Sequence, residues 1–163
     1  DVYKRQWKWN VMSKEFLFDG NKKLTDKIEY THYDKYGNPV EMVGNDSRHT
    51  VFLWSHYGQN LRARIENATY QEVSTALGKK PEELSTSAVD ASSLNNIRLQ
   101  LPNARVYSCW AGRGKDITVS SAENGRNTYY TYYTSGRLGQ IYRHNEKGRV
   151  EVLQVNDYHL VND

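Results

Sequence analysis

The spacing of turn signals constrains this chain more than any other feature of its sequence. Runs rich in β-branched and aromatic residues (KEFLF, KIEYTHY, PVEMV, TVFLWS, ARVYSCW, DITVSS, RNTYYTYYT, RLGQIYRH, RVEVLQV) alternate with turn clusters. The clusters fall at Asp19-Gly20-Asn21, Gly44 to Ser47, Gly112 to Lys115, Glu123 to Gly125, Ser135-Gly136 and Asn145 to Gly148. Short strands at intervals of roughly ten residues, with turn residues between them, are the pattern of an all-β meander. The stretch YDKYGNPV, residues 33–40, shows how one such cluster turns the chain. Tyr33 favours a strand. Asp34 can bond the backbone two residues on, and Gly37 can take positive φ without steric cost. Asn38 is held extended by Pro39. If Asp34 only closes this turn, Asp34→Asn is expected to be tolerated. A blurred copy, YYTSGRL, stands at 132–138. In LRARIE, Leu61, Ala63 and Ile65 alternate with Arg62, Arg64 and Glu66, so one face is predicted buried and the other charged.

The middle of the chain breaks this rhythm. In TYQEVSTALG, Thr69 and Glu72 form a capping box, Tyr70, Val73 and Leu77 share a helical face, and Gly78 is a stop signal. Pro81 opens a further helical turn, PEEL. In SSLNNIRLQLP, Ser92 or Ser93 is the expected cap, Leu94, Ile97 and Leu101 are in register, and Pro102 ends the helix. The expected fold is therefore mainly β: an antiparallel meander of hairpins, open or coiled, with a short helical insert. A mixed α+β arrangement is the alternative. A β region spans 7–66, the helical insert 67–103 and a second β region 104–163, expected to form one structural unit.

Several function classes find no support. The 22 Lys and Arg against 19 acids give a net charge of +3, and the basic residues do not cluster as a nucleic-acid face requires. No apolar run has the length of a membrane span. Cys109 stands alone, which excludes a disulfide framework and a thiol-rich metal site, and it is expected to face the core of a strand. His32, His49, His56, His144 and His159 lack the spacing of a zinc motif and are expected on solvated strands or turns. The Asp19 and Asn45 turns lack the later Glu of a calcium loop. AGRGK at 111–115 lacks the spacing and following helix of a phosphate loop, and neither SHY nor SSAE resembles a nucleophile elbow. No catalytic residue, metal or cofactor is expected. The aromatic content of 12%, with 13 Tyr, fits sheets that bury ring bodies and leave hydroxyls wet. Trp54, Tyr57, Tyr130 and Tyr132 are an alternative reading: a carbohydrate- or surface-binding platform, which requires two coplanar rings in solvent. The first six residues, DVYKRQ, read back into codons resemble the mosaic-end adapter of transposon-based sequencing libraries. They are expected to be a read-through artefact, with the gene cut upstream of Trp7.

The segment YYTYYTSGRLGQIYRHNEKGRV resembles one YD repeat of the RHS family, whose pattern is Tyr-Asp-x-x-Gly-Arg-Leu, a strand and a Gly turn. Tyr132, Gly136, Arg137 and Leu138 match it, while Tyr133 stands in the place of the Asp. The first copy keeps Tyr33, Asp34 and Gly37 but has Asn38-Pro39-Val40 in the place of Arg-Leu. The wider series DKYGNPVEMV, VFLWSHYGQ, ARIENATYQEV and LPNARV is similar to RHS-repeat proteins of anaerobic Gram-negative bacteria. The resemblance covers most of residues 27–159. It implies a long antiparallel sheet that coils into a shell, exported or at the cell surface, around an enclosed or appended polypeptide. It also implies a scaffold without catalysis, whose partner is the rest of its own repeat array. Tyr side chains of successive repeats are expected to stack across neighbouring strands, since cross-strand pairs lie about 5 Å apart. Each repeat buries its face only against neighbours, so several are needed for stability.

Overall fold

A computed structural model describes residues 11–111 and 117–158. The expectations placed on residues 1–6, on Trp7, on the turn at 112–115 and on His159 lie outside the described residues. The fold is mainly β, with 45% of the described residues in strands and 17% in helices. The chain divides into two compact units, 1–104 and 105–163. In the first, strands β1 (Lys14–Phe18), β2 (Leu24–Tyr33), β3 (Pro39–Val43), β4 (His49–Ser55) and β5 (Asn60–Glu66) pair antiparallel in chain order. Helix α1 (Tyr70–Leu77), a 3-10 turn (Pro81–Thr86) and helix α2 (Ala91–Gln100) follow. In the second unit, β6 (Arg105–Ala111), β7 (Ile117–Ser121), β8 (Asn127–Tyr132), β9 (Leu138–His144) and β10 (Val150–Val155) form another antiparallel meander.

One turn geometry recurs at six hairpins. The N–H of its first residue donates to the carbonyl four residues on, and the N–H of its fourth residue donates back to the first carbonyl. The first and fourth residues are Asp19 and Lys22, Asp34 and Gly37, Gly44 and Ser47, Ala122 and Gly125, Tyr133 and Gly136, and Asn145 and Gly148. Every fourth residue has positive φ, from 60° at Ser47 to 87° at Gly37. This is a three-residue hairpin loop, a type I turn followed by a left-handed residue. Asp19, Asp34 and Asn145 each add a side-chain oxygen that accepts two backbone N–H groups inside the loop.

The first unit has two layers, because α1 and the 3-10 turn pack on β4 while α1 packs on α2. Val51, Leu53, Ala63 and Ile65 from the sheet are buried with Val73, Ala76, Leu84, Val89, Leu94 and Ile97 from the helical segment. Burying each large aliphatic side chain is worth about 1.5–3 kcal/mol, so this cluster dominates the unit's stability. Helix α1 has the capping box of Thr69 and Glu72 and ends on left-handed Gly78. The cap of α2 is Asp90, whose carboxylate accepts the Ser93 N–H, and not Ser92 or Ser93. Asp and Ser are near-equal caps, and Asp90 also takes the Ser92 hydroxyl.

The alternation expected in LRARIE holds at Ala63, Arg64 and Ile65 and breaks at Leu61 and Arg62. Trp54 pairs with Leu61 while Leu53 pairs with Ala63, so Arg62 is an extra bulged residue. The bulge shifts the side-chain faces: Arg62 is 7% exposed and Leu61 38%. The second unit has no helix among its described residues and so no second layer of its own. Cys109 is half-buried in β6.

Ser47 and Gly148 occupy the same turn position with opposite steric consequences. A Cβ on Gly148 would meet nothing within 4 Å, so only backbone strain opposes it. Ser47→Gly is expected to raise stability, and Gly148→Ala to lower it, each by about 1 kcal/mol. Urea unfolding of the two variants checks this; a neutral Gly148→Ala would contradict the left-handed turn.

Candidate functional site

Two buried carboxylates of the β2–β3 hairpin, Asp34 and Glu41, gather hydrogen-bond donors from several elements of the first unit. Asp34 is 5% exposed. Its Oδ1 accepts the N–H groups of Tyr36 and Asn38, each at 2.9 Å. Its Oδ2 accepts the Asn38 side-chain amide at 3.0 Å and the Ser85 hydroxyl at 2.7 Å. Ser85 lies in the 3-10 turn, fully buried, and its carbonyl accepts the Gly58 N–H. Asn38 Nδ2 also donates to the Gly58 carbonyl at 2.8 Å. The turn at 34–38, the turn at 56–58 and the helical segment are thus closed into one network. Gly58 has φ of 75°, and a Cβ there would stand 2.5 Å from Asn38 Nδ2. Its neighbours His56 and Tyr57 also have positive φ, a strained conformation that the network maintains.

Asp34 therefore does more than close a turn. Four donors face an acceptor-only group. The condition under which Asp34→Asn is expected to be tolerated is therefore not met, since an amide at Oδ2 would point a donor at the Asn38 amide.

Glu41 is the second centre, 4% exposed in β3. Register places it opposite His32 on β2 and Val51 on β4, on the face that carries the core. Thr31 Oγ1 donates to its Oε2, and His32 Nδ1 lies 3.0 Å from the same atom. His49 Nδ1 lies 2.9 Å from Oε1, and the Tyr70 N–H, the first of α1, donates to Oε1 at 2.8 Å. A carboxylate at a helix N-terminus also meets the positive end of the helix dipole. The His32 ring stacks on Tyr70 with centroids 3.9 Å apart. The Tyr70 hydroxyl donates to Glu82, and its pKa is pushed up to about 12 by burial and by that carboxylate. Burial alone would raise the Glu41 pKa. The hydrogen bonds from Thr31, Tyr70, His49 and His32 outweigh it and hold the carboxyl below the usual Glu range. Both oxygens are committed to internal donors, so the arrangement acts as a clasp joining β2, β3, β4 and α1.

The residues singled out by sequence fall in several places. Tyr33 donates its hydroxyl to the Met12 carbonyl, and Tyr132 donates to the Ile117 carbonyl at 2.8 Å. The stacked tyrosines are Tyr129 and Tyr142, directly paired on β8 and β9, with centroids 5.1 Å apart. Gly37 and Gly136 hold the left-handed turn position. Arg137 lies over the Tyr158 ring, and Leu138 pairs with Tyr132. Trp54 and Tyr57 belong to the first unit and Tyr130 to the second. The Trp54 indole N–H donates to the Pro39 carbonyl at 2.7 Å, which commits that ring to inter-strand packing. Tyr130 is half-buried with its hydroxyl 3.1 Å from Ser120 Oγ, whereas Tyr57 is 66% exposed on its strained turn. Tyr129 and Tyr142 cover each other's faces, which a sugar platform would need free.

Sequence reasoning missed Glu41. The available signal was an acid inside the apolar strand PVEMV, flanked by hairpins that bring His32 and His49 beside it. Among the described residues, no group of three or more His, Cys, Asp or Glu side chains could hold a metal ion. No family model matches this chain, and no curated protein matches it.

Because the folded Glu41 pKa lies below its unfolded value, its stabilisation is in place above about pH 4.3 and is lost as pH falls through the folded value. Glu41→Gln is expected to lower stability at neutral pH by about 1–3 kcal/mol and to flatten the acid limb of the profile. Urea unfolding across pH 3–7 reads both effects, and an acid limb unchanged in the variant would contradict this role.

Proposed function

We propose that this chain is a structural segment of a large exported or cell-surface YD-repeat protein of the RHS type, contributing sheet to a shell or scaffold, with no catalysis of its own. The observation that carries this reading is the single turn geometry at six hairpins in both units, including the two YD-like copies at 33–37 and 132–136. A chain that reuses one hairpin is built by addition of like units, each supported by its neighbours. The buried carboxylates Asp34 and Glu41 fit the same role, since both are spent on joining elements.

The first strand of the first unit and the last strand of the second add support. β1 exposes Phe16, Leu17 and Phe18, and β10 exposes Val150, Val152, Leu153 and Val155. Consecutive strand residues point to opposite faces, so both strands are apolar on both sides. That composition suits strands covered on both faces, and in a repeat array the neighbouring repeats or an enclosed polypeptide would supply the cover. An open apolar edge also pairs readily with further strands.

Sedimentation across a concentration series tests the reading. The chain is expected to associate with rising concentration, and a Phe16→Lys, Val152→Lys double variant to remain monomeric. A wild-type chain that stays monomeric at every concentration and unfolds as one cooperative body would mean that it is complete in itself, against the array reading.

A further inference from the structure

A strand with one buried face has its register set by that face, because a one-residue slip turns every apolar side chain outward. β1 and β7 lack this constraint. β1 is exposed along its length except at half-buried Glu15. β7 is five residues long and lies in a unit without a covering layer among its described residues, with only Ser121 buried. Each is nevertheless held in one register, Lys14 opposite Glu29 and Val119 opposite Tyr129. The turn geometry fixes β1 against β2 and β7 against β8 at the turn end of each hairpin. At the far end no turn is present to do so.

The signature tyrosines act at those far ends. Tyr33 is the last residue of β2, and its hydroxyl donates to the carbonyl of Met12, two residues before β1 begins. Tyr132 is the last residue of β8, and its hydroxyl donates to the carbonyl of Ile117, the first residue of β7. Each tyrosine is also paired on its other side, Tyr33 with Pro39 of β3 and Tyr132 with Leu138 of β9. A like contact thus occurs once in each unit, at the end of the hairpin away from its turn. Both tyrosines are half-buried.

We propose that Tyr33 and Tyr132 are register-setting residues: each hydroxyl pins the start of the preceding strand and so fixes its stagger where no buried face does. The repeat then carries two separable devices. The left-handed turn sets one strand pair, and the tyrosine sets the pair before it. This division explains why Tyr133 can replace the turn acid while Tyr132 is kept: the turn's backbone bonds persist at Tyr133 and Gly136, with Tyr133 donating to the Asn156 carbonyl instead. The inference concerns this sheet alone and holds whether or not the chain belongs to a larger array.

Tyr33→Phe and Tyr132→Phe keep the ring and remove only the hydroxyl. Amide hydrogen exchange and cross-strand proton contacts in the full chain read the outcome. In Tyr33→Phe, the Tyr30 amide, which donates to the Ser13 carbonyl, is expected to exchange at least ten-fold faster. The Lys14–Glu29 cross-strand contact is expected to be joined by a second, slipped set, while the amides of β4 and β5 stay unchanged. In Tyr132→Phe, the same is expected at Ile117–Val119 opposite β8. Tyr133→Phe, which loses a hydroxyl bond at the turn, serves as the control and is expected to leave β7 as it was. Unchanged exchange and contacts in both signature variants, or equal acceleration of every amide with no slipped contacts, would overturn the proposal.

Discussion

Two carboxylates of one hairpin, Asp34 and Glu41, each take three donors from the sheet and its turns and a fourth from the helical segment. For Asp34 the fourth is the Ser85 hydroxyl, and for Glu41 it is the first N–H of α1. Leaving either acceptor buried without its donors costs more than the net worth of the bonds themselves. The hydrophobic layer between β3–β5 and the helices supplies most of the stability. It does not by itself say where each helix must stand, because aliphatic contacts are non-directional. The carboxylates supply the position. Gly58, with no room for a side chain, lets the turn at 56–58 close the same network.

The second unit holds together by other means. It has no helical layer among its described residues, so backbone ladders, ring stacking of Tyr129 on Tyr142 and surface pairs such as Arg143 with Glu151 carry more of the burden. Exposed ion pairs contribute little each. The repeated left-handed turn matters most in such a sheet, since it fixes hairpin register without a core. One motif is therefore used in two settings: at residue 34 its first position is an acid that reaches a helix, and at residue 133 it is a tyrosine that stays within the sheet.

Much of this was legible in the sequence. Turn clusters and β-branched runs located the strands, and the pair Thr69 and Glu72 with Gly78 bounded α1, because those signals are local. What escaped depends on distance. Ser85 is 51 residues from Asp34, and nothing in STSAVDAS marks its hydroxyl as a partner. Glu41 draws on β2, β4 and α1 at once, so its role follows from register that hairpin turns set but do not display. The bulge at Arg62 broke an apparently perfect alternation at its first two residues, since an extra residue leaves no mark in an alternating pattern. Asp90 displaced Ser92 and Ser93 as the cap because three good capping residues stood in four positions.

The claim that the helices and the sheet of the first unit form one body, fastened by the buried carboxylates, is open to direct measurement. Native-state hydrogen exchange under rising denaturant resolves whether segments open together or separately. The expected result is a single shared opening, at the highest free energy in the chain, for the amides of α1, α2, β4 and β5. Exchange of α1 and α2 through a separate opening of much lower free energy, with β4 and β5 still protected, would contradict it.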